Sequence, residues 1–150
     1  MGFSERSKTA LATFSRKHHC MTKKSQTYVG TFPLGFMNVE LYAITDETNG
    51  YFFTRPDDKS PGRIKVGIDT EHWDQVVAIL LHETFEMVCS HMNLRYEVSG
   101  AVGDASSYTF IFNHTQFCDA CDRQARFITP ALPKLAAVWQ KLQAAKEKTK

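Results

Sequence analysis

Long apolar runs are missing from this chain: the longest, Val76 to Leu81, is six residues, far short of the roughly 18 that a membrane span needs. The opening residues carry no apolar block of the kind that begins a secretory signal. Arg6 stands where a myristoylation signal following Met1-Gly2 wants Ser or Thr. Cysteine is scarce as well. Four residues (Cys20, Cys89, Cys118, Cys121) without an export signal point to free thiols in a reducing compartment, so the expected location is the cytoplasm. There is no phosphate-cradling glycine loop, because Gly100-Ala-Val-Gly103 is too short and carries no Lys. There is no Gly-x-Ser-x-Gly elbow to serve an acyl hydrolase, and no internal repeat.

What remains is 150 residues with 43% apolar and 23% charged content, which describes one soluble domain able to bury a core without staples. The net charge of +2 is unevenly spread. Residues 1–24 carry six Lys or Arg against one acid and residues 134–150 carry five against one, while the stretch between has seven bases and fourteen acids. Basic ends can contact nucleic acid, although solvated ends are the more ordinary reading and the one preferred here. Residues 1–26, rich in Ser, Thr, Lys and Arg, read as a flexible basic arm. His18-His19-Cys20 within it lacks a partner at zinc-finger spacing.

From Thr27 the pattern turns to β. Thr27–Phe32, Phe36–Ile44, Tyr51–Thr54 and Arg63–Ile68 are rich in Val, Ile, Tyr, Phe and Thr and are separated by turn formers, Asn49-Gly50 the strongest. They predict an antiparallel meander. Leu94–Ser99 and Ser107–Asn113 predict a second hairpin. Asn113-His114-Thr115-Gln116 has the form of a capping box, and a stripe of Phe117, Cys121, Ala125 and Ile128 follows it. Pro130 and Pro133 are expected to break that helix and start another with a Leu135, Val138, Trp139, Leu142 seam. The expected fold is α+β: a mainly antiparallel sheet, meander plus hairpin, packed by a central helix and two C-terminal helices. The domain is expected to run over residues 27–146, with a disordered tail over 147–150.

The central helix is the pattern over residues 69–92. Asp69 and Thr70 are suitable caps, and Glu71 and Asp74 place negative charge in the first turn. At about 100° per residue, Trp73, Val76, Val77, Leu80, Leu81, Thr84, Met87 and Val88 share one arc. His82 and Glu86 fall on the opposite side, about 40° apart, with Gln75 and Cys89 beside them. The helix thus has a packing face and a second face that shows an imidazole and a carboxylate together.

His82-Glu83-x-x-Glu86 resembles the His-Glu-x-x-His helix of zincin metallopeptidases. The resemblance implies Zn²⁺ with His82 as a ligand and Glu83 as the base for a metal-bound water. The second His is replaced by Glu86, whose carboxylate is also a possible zinc ligand. His114, opening the next helix, is the expected third ligand, because a helix N-terminus keeps an imidazole neutral; a capping-region histidine is the alternative. The strand leading into Leu-Leu-His-Glu-x-x-Glu, with Asn-His-x-Gln-Phe opening a later helix, is also similar to short bacteriophage proteins of unassigned role over about residues 63–142. Cys118-x-x-Cys121 reads as two thiols in a helix core, with a mixed metal site of His114 and Cys118, four apart on one face, as the alternative.

Two functions are therefore expected. One is a small zincin-like zinc-dependent metallohydrolase, with His82, Glu86 and His114 on the metal, acting on a peptide or protein lying along the sheet edge. The other is a non-catalytic phage or mobile-element binding protein acting on a host protein partner, with the His/Glu pair structural. A nucleic-acid partner at the basic termini ranks below both, and the sequence does not determine oligomeric state.

Overall fold

The computed structural model describes residues 25–54, 61–97 and 108–149. The arm expected over residues 1–26 lies outside them but for Ser25 and Gln26, as do His18, His19 and Cys20 and the loop of the second hairpin. The element order is β1 (Gln26–Leu34), β2 (Met37–Ile44), β3 (Gly50–Phe53), β4 (Gly62–Gly67), α1 (Trp73–His91), β5 (Arg95–Glu97), β6 (Tyr108–Phe110) and α2 (His114–Glu147). This is an α+β arrangement: a four-stranded mixed sheet in the order β1-β2-β4-β3, a separate hairpin of β5 and β6, and two helices.

The expected meander fails at one joint. β1 and β2 form an antiparallel hairpin and β3 pairs antiparallel with β4, but β4 lies parallel to β2, with Val39 opposite Gly62 and Ile44 opposite Gly67. The burial patterns give the reason. Ile64 and Val66 of β4 are wholly buried, whereas β3 is four residues long with Tyr51 and Phe53 exposed. The β-branched strand takes the centre, and the shorter, half-wet aromatic one takes the edge. The Asn49-Gly50 signal does mark a reversal, but the chain arches over the end of β4 there and does not return along β2. Gly67 donates its N–H to the Asn49 carbonyl at 2.8 Å and Asp69 donates to that of Glu47 at 2.9 Å. A Cβ on Gly67 would lie 2.6 Å from both carbonyl oxygens, so the arch requires glycine there.

Both helices cover one face of the sheet. Val39, Leu41, Ala43, Ile64 and Val66 point into a core with Val76, Leu80, Met87 and Val88 of α1 and Phe127, Ala131 and Leu135 of α2. On the opposite face Tyr42 donates a hydrogen bond to Glu40 at 3.0 Å, Arg63 pairs with the same carboxylate at 3.1 Å, and Lys65 sits over Phe53. Alternation along the strands separates the two faces.

Two C-terminal helices were expected and one is found. α2 runs for 34 residues with Pro130 and Pro133 inside it. Each proline withholds an N–H and typically costs about 3 kcal/mol or more in a helix interior. Phe127, Ala131 and Leu135 lie before, between and after them at four-residue spacing and are fully buried. Burial on both sides of the prolines offsets that cost, so packing overrides the local signal. The expected stripe is rotated as well: Phe117 is 42% exposed, while Ala120 and Phe127 carry the contact. The capping box is present, Asn113 Oδ1 accepting from the Gln116 amide and Gln116 Oε1 from that of Asn113, both at 2.9 Å.

Candidate functional site

The N-cap of α1 is His72, with no side-chain cap, in place of Asp69 or Thr70. Thr70 works one step earlier: its hydroxyl accepts the His72 N–H at 3.1 Å and donates to Gln75 at 2.7 Å. Its carbonyl accepts from Trp139 and Gln143 of α2 at 2.9 and 2.8 Å, which pins the start of α1 to the far end of the second helix. Of the expected packing arc, Val76, Leu80, Thr84, Met87 and Val88 are buried, while Leu81 is 42% exposed. α1 ends where Asn93 takes a left-handed conformation (φ 53°) and the Leu94 N–H returns to the Cys89 carbonyl at 2.8 Å. That turn sends β5 back along the helix and brings Arg95 beside Glu86.

The second face of α1 is consequently only partly open. The His82 side chain is 64% exposed, whereas those of Glu83 and Glu86 are 9% and 18% exposed. His82 Nε2 lies 3.5 Å from Glu86 and 3.9 Å from Glu83, so the sequence spacing does bring these three together. The other oxygen of Glu86 faces the Arg95 guanidinium at 3.4 Å. Arg95 in turn lies over the Tyr108 ring at 3.5 Å and the Phe52 ring at 5.1 Å, joining α1, β3 and the hairpin. Its Nε is buried without an acceptor among the described residues. Cys89, on the same side, is fully buried, and burial pushes its thiol up to about 11.

Burial, the largest cause, holds the Glu83 carboxyl above its ordinary value of 4.5; Glu86 raises it further, while His82 and Arg95 act the other way. An acid raised by folding stabilises fully below its unfolded value, and that contribution is lost as pH rises through the folded one. Glu83→Gln should therefore be more stable than the parent at pH 7, with the difference vanishing below about pH 4. Urea denaturation across that range checks the sign.

His114 is elsewhere in this pattern of contacts. It is exposed at the start of α2, its Nε2 3.6 Å from the Cys118 sulfur. Among the described residues no three His, Cys, Asp or Glu side chains form a group that could hold a metal ion. His82 and Glu86 offer two donors side by side, but Glu86 is engaged by a cation and the described residues add no third. As placed, the described donors fall one short of the three protein ligands of a catalytic zinc centre.

Glu83 also borders an open groove of about 1030 Å³. One wall is the edge of the sheet, Thr48 to Tyr51, and the other is Ala78, Ile79, His82 and Glu83 of α1. Because Gly67 and Asn49 share a hydrogen bond, alternation turns the N–H and C=O of Gly50 and Phe52 away from β4, toward the side on which no described strand pairs. Gly50 is needed at this wall, since a Cβ would stand 2.5 Å from Ile79 and 2.6 Å from Glu83.

The chain matches no protein-family model, no curated protein and no solved structure. No helix among the described residues is long and apolar enough to cross a membrane.

Sequence reasoning missed Arg95 and the groove. Arg95 stands nine residues after Glu86 across a chain reversal, and only the left-handed Asn93 hints at their meeting. The groove depends on β3 being the edge strand, which depends on the parallel pairing of β2 with β4.

Proposed function

We propose that this chain is a non-catalytic binding protein that takes up an extended segment of a protein partner as an added strand along β3. The groove carries this reading: an edge strand with backbone groups facing outward lies against a helix wall that offers Ala78 and Ile79 for apolar side chains and Glu83 and His82 for polar ones. Main-chain hydrogen bonds supply affinity in this mode, and the wall supplies selectivity. Among the described residues the lining holds a carboxylate and neither Lys nor Arg, which disfavours a phosphate backbone there. On this reading Glu86 and Arg95 are structural, and a host protein is the natural source of the segment.

Peptides selected by display against the full chain test the proposal. Binding should slow amide exchange at Gly50 and Phe52. Ala78→Trp, on an exposed position of the helix wall, should weaken it at least about tenfold, a loss of roughly 1.4 kcal/mol, with the circular dichroism unchanged. Selected peptides that protect other amides, or that ignore Ala78→Trp, would overturn it.

A second reading draws on the same groove. His82 and Glu83 line it together, so a zinc-dependent hydrolase would have its base, Glu83, against the bound segment. That reading assigns zinc to His82, Glu86 and His114, and needs both Glu86 released from Arg95 and His114 brought to the pair. Stoichiometric zinc that survives Cys118→Ser and is lost in His82→Ala favours the hydrolase. Metal-free protein that still binds peptide favours binding alone.

A further inference from the structure

The first turn of α2 carries a feature that the groove leaves unused. His114 and Cys118 are both exposed, one helical turn apart, with imidazole Nε2 and sulfur separated by 3.6 Å. A tetrahedral Zn²⁺ with typical bonds of about 2.3 Å to sulfur and 2.0–2.1 Å to nitrogen holds two such ligands about 3.6 Å apart. The pair is therefore spaced as two corners of a zinc site, on a helix whose capping box fixes the backbone beneath them. The same helix face does not supply the other corners. One turn on, Asp122 is taken by Arg126 at 2.9 Å, and among the described residues no third donor joins the pair.

Beside the two donors is apolar surface left open to solvent. Ile111, Phe112 and Phe117 are 61%, 38% and 42% exposed, and Phe112 and Phe117 stack at 5.6 Å to form a flat plate. Phe112, Asn113, His114 and Phe117 line a shallow cavity there, so plate and imidazole share one surface. Such a plate next to half of a metal site is the geometry a two-fold related copy completes: each chain contributes one His and one Cys, and each covers the other's aromatic rings.

We infer that His114 and Cys118 form half of a structural zinc site, closed by the same two residues of a second copy of this chain, with the Phe112–Phe117 plates packed together around it. The dimer stands on different residues from the groove, so either proposal can fail without the other.

The test uses the full chain, stripped of metal and kept reduced, titrated with zinc chloride and followed by sedimentation. The expected result is a shift from monomer to dimer that saturates at one zinc per two chains and is reversed by chelator. Cobalt in place of zinc should give thiolate-to-metal charge-transfer absorption. Cys118→Ser and His114→Ala should each abolish both signals, with circular dichroism unchanged because both side chains are exposed. Any of four results overturns the inference: zinc binding without a change in mass, a dimer that forms without metal, a cobalt–thiolate signal that survives Cys118→Ser, or no zinc uptake.

Discussion

Arg95→Ala should lower the stability of the folded chain by about 2 kcal/mol, between the roughly 1 kcal/mol of a surface pair and the roughly 3–5 kcal/mol lost on breaking a fully buried one, because this pair is only partly buried. The loss has two parts. Glu86, 18% exposed, is left without its cation, and the Tyr108 and Phe52 rings lose the plane that lies over them. Arg95→Lys should recover only a fraction, because an ammonium keeps the charge and cannot reproduce the flat stacked guanidinium. Glu86→Gln should cost about 1 kcal/mol, since the amide retains one acceptor for Arg95. Guanidinium denaturation of the metal-free protein measures all three. If Glu86 were held in place for a metal and not for Arg95, these changes would leave metal-free stability within about 0.5 kcal/mol of the parent. That outcome would remove the structural role assigned here to the pair.

The second large effect is expected at Phe127. This side chain is fully buried under the sheet and meets Phe32 edge-on with ring centroids 5.6 Å apart. Phe127→Ala should cost about 3–5 kcal/mol, the range for emptying an aromatic from a packed core. The position of the loss should carry extra information. Phe127 anchors α2 immediately before Pro130, and with the anchor gone the helix loses part of what holds it straight through the two prolines. Amide exchange should therefore quicken from Ile128 onward more than in the capped first turns. Phe127→Leu, which keeps most of the volume, should cost about 1.5 kcal/mol or less and leave that exchange pattern intact.

What could be read from the sequence follows from how far apart the interacting residues lie. The capping box of Asn113 and Gln116 was legible because its partners are three residues apart, and the His82–Glu86 adjacency because helix geometry fixes it. The existence and approximate limits of the four sheet strands were legible for the same local reason. Strand order was not. Asn49-Gly50 signals a reversal whether the chain returns along β2 or crosses to the far side of β4, and the decision rests on Ile64 and Val66 finding the centre of the sheet. The prolines misled because their cost is local, while the burial of Phe127, Ala131 and Leu135 that offsets it is not. At the candidate site, the pairing of Glu86 with Arg95 arises only after the chain has doubled back, and it changes the chemistry of the motif. A carboxylate that looks available in the alphabet of the helix is already engaged in space.

The long second helix also sets a timetable for synthesis. The sheet and α1 leave the ribosome while Phe127, Ala131, Leu135, Trp139 and Gln143 are still to be made, and until then Phe32 of β1 lacks the ring it packs against. A nascent chain in that condition shows an oily, strand-rich surface to every neighbour and depends on chaperones to keep it apart from them. Messages cut short before the codon for Leu135 should accordingly yield aggregates, because the residues from Leu135 onward act as a staple that closes the core.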